Sequence, residues 1–308
     1  MFTHTPKIRS AALGLFALAT APGAVMLVAA IPLLFENHGG RPVLVLAPAL
    51  DAIGGWLRGL ADGSSFEYRY GTTVWNFFET APLYFMVSFL YVALAGSLGL
   101  AGGMVLGLTL RGRFAAVVLS VCNTLFAIPD FIAAILLQLV TIVILDATGF
   151  KLGRISYDST SGFLLALPFA LMTMYPLAFS FRTVLRKSVE AEREPFAVYA
   201  LAKGLDKRTV RLRHVGAAVV PAISEELPTL LGIMQTNLFM TEYIFALPGI
   251  TRFLFRVAFS GRRPGWLEYY QYPVAVAVLL GVLALFLASW VFFKLALNLV
   301  RRAITGER

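Results

Sequence analysis

The amino-acid sequence predicts an all-α integral membrane protein with six membrane-spanning helices. Of its 308 residues, 58% are hydrophobic and only 14% are charged, and the mean hydropathy is +0.78. Soluble domains contain roughly 45–50% apolar and about 25% charged residues. Six apolar stretches are long enough for a bilayer-crossing helix, which needs about 20 residues. Strongly and weakly basic connections also alternate along the chain, as in a protein that crosses a membrane repeatedly.

A single membrane domain, residues 1–308, is predicted because no internal repeat or low-complexity segment divides the sequence. The predicted spans are approximately residues 11–35, 81–110, 114–145, 162–181, 217–245 and 273–300. The third and fifth are long enough to tilt or to contain a break at Pro129 and Pro228. The first follows Lys7 and Arg9 as a signal peptide would, but its apolar run is too long and no small-residue cleavage site ends it. We therefore expect a retained anchor.

The distribution of basic residues predicts how the chain is oriented in the membrane. The N-terminus, residues 111–113, residues 182–214 and the tail from residue 301 together carry 16 lysines and arginines, whereas the other connections carry 9. By the positive-inside rule, both termini and residues 182–214 are cytoplasmic, which agrees with an even number of spans. The net charge of +9 therefore reflects membrane topology, and nucleic-acid binding is not predicted.

No signature of catalysis, nucleotide binding or a metal centre is found in the sequence. No phosphate-binding glycine loop ending in Gly-Lys-Ser or Gly-Lys-Thr occurs, so any ATP has to be bound by another chain. The three histidines lie in separate segments, and the single Cys122 cannot form a disulfide within the chain. We therefore predict a protein that is not an enzyme and holds no metal.

Residues 35–80 form the longest predicted outer segment and contain an amphipathic sequence, PALDAIGGWLRGLADG. Five of its apolar residues recur at helical spacing: Leu50, Ile53, Trp56, Leu57 and Leu60. We expect a helix that lies on the outer surface of the bundle. The alternative is a lid over a ligand-binding site.

Residues 182–214 interrupt the apolar pattern with nine basic and four acidic residues. Pro195 suits the first turn of a helix, in which Ala197, Ala200 and Gly204 would share one face of small residues. Gly204 is predicted to end this helix and Asp206 to cap the next one. A basic loop attracted to anionic lipid is one interpretation. The small face and the glycine corner favour the other, a rigid protrusion that docks in a cleft of a partner protein.

Three motifs in this order resemble those of ABC importer permeases, and specifically the oligopeptide, dipeptide and nickel branch. The first is Phe196 followed by Ala-Leu-Ala-Lys-Gly-Leu at residues 200–205, then Arg-His ending at His214 and a proline at Pro221. The second is TEYIFALPGITR, residues 241–252, and the third is FAIPDF, residues 126–131. The family positions in the second motif are Glu242, Phe245, Pro248, Gly249 and Arg252. Together the motifs cover most of the chain from the second span onward.

Some family features are absent from the sequence. Val198 stands where the general permease loop motif has a glutamate, and Ala217-Ala218 stands where an Arg-Asn pair is common. The Pro-Gly-Asp-Pro that follows the family's first span is also missing. These departures do not change the family expectation, but they leave the substrate open.

The resemblance implies a six-helix type I importer permease with a cytoplasmic coupling helix, located in the bacterial cytoplasmic (inner) membrane. Coupling to the ATPase is expected at Phe196, Ala197, Ala200, Lys203, Gly204 and Leu205. The implied partners are a second permease subunit, two cytosolic ATP-binding subunits that hold ATP and Mg²⁺, and an extracytoplasmic substrate-binding protein. Short peptides are the expected cargo, with nickel or a metal chelate as the alternative. A secondary transporter without ATPase would instead predict inverted repeats, which are not seen.

Ionisable and polar residues at membrane depth are candidates for a translocation path, because burying them in lipid is costly. Asp130, Asn237 and Glu242 are predicted to face such a path. For Glu242 we favour a structural role, either a pair with Arg252 or a cap on exposed backbone at the Pro248-Gly249 turn. For Asp130 the two interpretations are equally supported.

Overall fold

The computed structural model describes residues 20–70, 72–149, 165–258 and 270–306, and most of these residues are helical. The helices are α1 (Thr20–Leu34), α2 (Ala47–Gly59), α3 (Phe77–Thr109), α4 (Gly112–Ala127), α5 (Asp130–Thr148), α6 (Ala166–Ala191), α7 (Pro195–Ala202), α8 (Lys207–Thr209), a π-helical segment (Val210–Val215), α9 (Gly216–Ile244), α10 (Ile250–Val257) and α11 (Tyr272–Thr305). Lys7, Arg9 and the start of the predicted first span lie outside the described residues.

Four helical stretches in the described part of the chain are long and apolar enough to cross a membrane. They are Phe77–Thr109, Asp130–Thr148, Lys207–Ile244 and Tyr272–Thr305. Two shorter apolar helices are Thr20–Leu34 and Gly112–Ala127. The fold is therefore that of an all-α integral membrane protein, as the composition predicts.

The predicted third span is divided into α4 and α5 at Pro129, which confirms the break expected there. Pro129 precedes α5, and Ile128 before it is extended, with φ −86° and ψ 123°. A residue before proline is disfavoured in the helical region, so α4 ends at this point. Pro228, by contrast, lies inside the continuous helix α9.

Residues 35–80 contain the predicted amphipathic helix, α2, and two β-hairpins that the sequence analysis did not predict. The hairpins pair Phe35–His38 with Arg41–Leu44 and Glu67–Tyr70 with Thr73–Asn76. In the first hairpin, Gly39 and Gly40 both have positive φ, 61° and 86°. Two consecutive residues with positive φ form a tight hairpin turn whose twist matches that of the flanking strands. The Gly-Gly pair was therefore the sequence signal for this hairpin.

The chain divides into two compact units, Met1–Phe85 with Ile250–Ala284 and Met86–Gly249 with Leu285–Arg308. The first unit has an aromatic core, in which the ring of Phe253 lies 4.7 Å from Tyr84 and 5.6 Å from Tyr68. There the Gln271 side chain also pairs with both backbone groups of Arg69, at 2.7 and 2.8 Å.

In the second unit, α3 packs closely on α6 through glycines spaced four residues apart. A Cβ at Gly99 would lie 2.7 Å from the Thr173 carbonyl oxygen, and one at Gly107 would lie 2.8 Å from Val184. A Cβ at Gly103, between them, would overlap Ser180. Small residues at this spacing let helix backbones approach each other in membranes. The sequence contained this signal, which the analysis above did not use.

Candidate coupling and transport site

Helix α7 is a short element between α6 and the Lys207–Ile244 helix, and its sequence defines both of its ends. Pro195 occupies its first turn after the extended Glu194, a position where the missing proline N–H costs nothing. At its other end Gly204 has φ 85°. The N–H of Leu205 donates to the Ala200 carbonyl at 3.3 Å, and the N–H of Gly204 donates to the Leu201 carbonyl at 2.9 Å. This is a Schellman motif, and it confirms the predicted helix end at Gly204.

Asp206 caps the helix that follows, as predicted. Its Oδ2 accepts hydrogen bonds from the backbone N–H groups of Arg208 and Thr209, both at 3.1 Å. Hydrogen bonds from Thr209, and then from Arg208, lower the pKa of Asp206, so its carboxylate stays charged at this N-terminus. The chain is thus fixed on both sides of the Gly204 corner.

The exposed face of α7 is not the predicted face of small residues. Ala197 and Ala200 are buried, at 1% and 5% exposure, because this side of α7 packs against the π-helical segment. Their side chains are therefore covered by the chain itself, and their part in coupling stays a prediction. The exposed side carries large apolar residues instead: Phe196, Val198, Tyr199, Leu201 and Leu205. Gly204 is open on its Cβ side, and the Lys203 ammonium lies 4.6 Å from the Tyr199 ring.

His214 and Pro221 lie beyond the loop, in the helix that follows it. His214 is exposed in the π-helical segment and lines a groove of about 780 Å³ with Phe196, Ala217 and Ile304. Pro221 lies inside α9 on an exposed position.

The base of the loop is held by Glu192, the residue that follows α6. Its carboxylate accepts hydrogen bonds from Arg111, between α3 and α4, and from Arg211 in the π-helical segment. Burial on its own would raise the pKa of Glu192, but the hydrogen bonds and positive charges of the two arginines outweigh it, and the net shift is downward. Sequence analysis counted these residues only as loop charges.

The second family motif forms the end of α9 and the turn after it. The N–H groups of Leu247 and Ala246 donate to the carbonyls of Glu242 and Tyr243, at 3.0 and 3.4 Å. Ala246 has φ 57°. This is a second Schellman motif, with alanine at the position that usually holds glycine. Phe245 and Leu247 are fully buried beneath it.

The Glu242 side chain is enclosed by this turn. Its carboxylate accepts a hydrogen bond from the hydroxyl of Ser88, is 1% exposed, and fills the space where a Gly249 side chain would be. These contacts support the structural interpretation of Glu242. The suggested pair with Arg252, which lies in α10, stays a prediction.

Among the predicted path residues, only Asp130 is partly exposed. It lies in the first turn of α5, where its carboxylate interacts with Tyr175, whose hydroxyl also donates to the Ile128 carbonyl at 3.4 Å. Asn237 is fully buried, and its Oδ1 accepts from the Thr241 hydroxyl at 3.2 Å. Because Asn237 and Glu242 are enclosed within the second unit, neither faces an open path here. Sequence position at membrane depth did not reveal which side of α9 is packed.

A cavity of about 840 Å³ in the second unit is lined by α4, α6 and α9. Its charged residues are Arg182, Arg186, Glu190 and Glu226. Glu226 pairs with Arg186 at 3.2 Å and accepts from the Thr183 hydroxyl at 2.9 Å. Arg182 lies 5.0 Å from the ring of Phe126 and has no carboxylate partner among the described residues. The cavity therefore presents a guanidinium that is free to bind an anionic group.

No group of three or more His, Cys, Asp and Glu side chains is placed to hold a metal ion within the part of the chain that the structure describes.

Long apolar helices, a short helix with an exposed apolar face, and a charged cavity among the helices are features expected of a membrane transport component. Residues 99–304 match the family of binding-protein-dependent transport system inner membrane components. Since this match covers more than half of the chain, the protein belongs to that family, the permeases of ABC importers. The family that the three motifs predicted is confirmed.

Two relatives are oligopeptide transport system permease proteins, both named OppB. The protein from Escherichia coli K12 is 29% identical over 161 residues, which cover 51% of this chain and 50% of the relative. The protein from Salmonella typhimurium LT2 is 27% identical over 192 residues, which cover 61% and 60%. The chain thus matches about half the length of the first relative.

Proposed function

We propose that this chain is the permease subunit of an ATP-driven importer that carries short peptides across a bacterial inner membrane. Membership of the permease family supports the transport role. The names of the OppB relatives favour peptides over nickel or a metal chelate. ATP and Mg²⁺ are held by two cytosolic subunits, and an extracytoplasmic binding protein delivers the substrate. A second, related permease completes the transmembrane pathway.

Coupling to ATP hydrolysis takes place at the exposed face of α7, and this face is the observation that carries the proposal. Four large apolar residues of this 8-residue helix, and Leu205 just after it, are 39–62% exposed. Such a concentrated patch is typical of a protein interface. Pro195 defines the start of α7 and the Schellman motif its end, so the helix can move as a rigid body when the ATPases close. By the positive-inside rule, the distribution of basic residues supports a cytoplasmic position for α7 and for both chain termini.

Peptides pass through the cavity lined by α4, α6 and α9. Its volume, about 840 Å³, lies within the usual range of ligand sites, roughly 300–1,000 Å³. Arg182 can pair with the terminal carboxylate of a peptide, because a guanidinium binds carboxylates through paired hydrogen bonds. Alternating access then exposes the cavity to each side of the membrane in turn.

Replacement of one exposed α7 residue tests the coupling role. Tyr199→Glu should prevent co-purification of the ATP-binding subunits, since buried aromatic anchors at interfaces contribute about 2 kcal/mol or more. Tyr199→Phe should retain them. Uptake of a labelled tripeptide into proteoliposomes should follow the same pattern. If Tyr199→Glu keeps both the ATPase and uptake, α7 is not the docking element.

A further inference from the structure

The carboxylate of Glu192 joins three helical elements through one oxygen atom. Its Oε1 accepts from Nη2 of Arg111 at 2.6 Å and from Nε of Arg211 at 2.8 Å. Glu192 follows α6, Arg111 lies between α3 and α4, and Arg211 belongs to the π-helical segment. We call these three residues the Glu192 cluster.

The Glu192–Arg211 pair closes the loop that carries α7. The chain leaves α6 at Glu192 and reaches Arg211 19 residues later. The ion pair between these two residues therefore joins the beginning of the loop to its end. Inside this closure the buried Ala197 and Val210 lie next to the same two charged residues, around a small cavity of about 170 Å³. Helix α7 is therefore attached to its base on both sides.

Arg111 attaches this closed loop to the end of α3. Its Nη1 donates to the carbonyls of Gly107 and Leu110, at 2.8 and 2.6 Å, and its Nη2 also donates to the Ser188 hydroxyl at 3.0 Å. Carbonyls in the last turn of a helix lack donors within the helix, and the guanidinium supplies the missing hydrogen-bond donors here. The position of Arg111 is thus fixed by α3 and α6 together.

The Glu192 cluster is also partly withdrawn from water. The side chains of Arg111, Glu192 and Arg211 are 22%, 29% and 29% exposed. In contrast, the nearby Lys187–Glu190 pair is 38% and 58% exposed and lies along one helix. Charge-assisted hydrogen bonds are shorter and stronger than neutral ones, whereas exposed pairs contribute little. The exposed Lys187–Glu190 pair therefore serves as a comparison for the less exposed Glu192 cluster.

We propose that Glu192 is a positioning residue that transmits the movement of α7 to α3 and α6. This inference rests on the proposed function, because it assumes that an ATPase moves α7. Removal of the carboxylate leaves the caps of α7 intact, so the helix stays folded and still docks. It then pivots at its base, and ATP hydrolysis proceeds without matching transport.

The ratio of peptide imported to ATP hydrolysed tests this role in the reconstituted full complex. Glu192→Ala and Glu192→Gln should retain the ATP-binding subunits and hydrolyse ATP within about twofold of the wild type. Their uptake per ATP should fall about tenfold, the equivalent of one hydrogen bond to a charged group. Lys187→Gln, which removes an exposed ion pair outside the Glu192 cluster, is the matched control and should keep the wild-type ratio, and Glu192→Asp should recover part of it.

A spectroscopic distance in the full-length chain alone gives a second measurement that needs no ATPase. Spin labels on Val198→Cys and Arg113→Cys, in a Cys122→Ser background, report the position of α7 relative to the α3–α4 corner. Glu192→Ala should broaden this distance distribution, and Glu190→Gln should leave it unchanged.

An unchanged distance distribution or an unchanged uptake per ATP in Glu192→Ala overturns the inference. So does loss of the ATP-binding subunits from Glu192→Ala, because Glu192 would then act in assembly. If the wild-type chain itself binds no ATPase, the proposed function fails. In that case the distance measurement still decides whether Glu192 fixes α7.

Discussion

The carboxylate of Glu242 occupies the space beside Gly249 in which any larger residue would place its Cβ. Glu242 lies in the last turn of α9, and Gly249 follows the Schellman turn that ends this helix. The Ser88 hydroxyl donates to the same carboxylate. The two family-motif residues are thus a matched pair, in which the absent side chain of one makes room for the buried carboxyl group of the other.

The first prediction follows from this pair. Gly249→Ala should lower the free energy of unfolding by about 1–3 kcal/mol, the usual cost of inserting a methyl group into a packed core. Gly232→Ala in α9 has no atom within 4 Å of the added Cβ, and it should be neutral or stabilising by about 0.5–1 kcal/mol. Thermal unfolding of the purified chain in detergent measures both. Equal effects of the two variants would contradict the packing described here.

The second prediction concerns the contact between α3 and α6. Gly103→Ala should destabilise the chain by about 1–3 kcal/mol, because its Cβ would overlap Ser180 and the α6 backbone. The neighbouring Gly102→Ala should have little effect, since the nearest atom is at 3.4 Å. The same unfolding measurement compares these adjacent variants. A larger loss for Gly102→Ala would show that another face of α3 packs on α6.

A third prediction tests Arg182 as the partner of a peptide carboxylate. Arg182→Gln should reduce uptake of a tripeptide with a free C-terminus by about tenfold, the equivalent of one hydrogen bond to a charged group. Uptake of the C-terminally amidated peptide should be affected less. Lys187→Gln is the control, because Lys187 does not line the cavity. A similar loss for both peptides would remove Arg182 from carboxylate recognition.

The fourth prediction is a pH dependence that originates in Glu192. The arginines hold its folded-state pKa below the usual value of 4.5. A group with a lowered pKa stabilises the fold fully above its unfolded-state pKa, and this contribution is lost as the pH falls through the folded-state pKa. The difference in thermal midpoint between wild type and Glu192→Gln should therefore be largest near neutral pH and shrink below about pH 4.5. A difference that grows on acidification would contradict this assignment.

Local signals predicted several elements correctly because they act over a few residues. Pro129 ends α4, Gly204 ends α7, and Asp206 caps the next helix, each through the backbone geometry that its residue type favours. The three motifs likewise predicted the family. The hairpin at Gly39-Gly40 had an equally local signal, which was outweighed by the expectation of an all-helical chain.

The sequence did not reveal which side of a helix packs against the rest of the chain. A helix with both small and large apolar residues can pack by either face, and the sequence of α7 does not distinguish them. Tertiary packing places Ala197 and Ala200 inside and Tyr199 outside. The same limit applies to Asn237 in α9, where burial depends on neighbouring helices that are distant in sequence.

By itself, the sequence determined the membrane class, the main helix ends and the transport family, because hydropathy, charge and turn chemistry are properties of short segments. Only the tertiary structure decided that α7 exposes its large residues, that Glu242 fills the space beside Gly249, and that Glu192 joins Arg111 to Arg211. Residues 111, 192 and 211 lie in three separate segments of the chain. Their contact depends on how closely α3 approaches α6, and this distance is set by packing between helices rather than by any local preference.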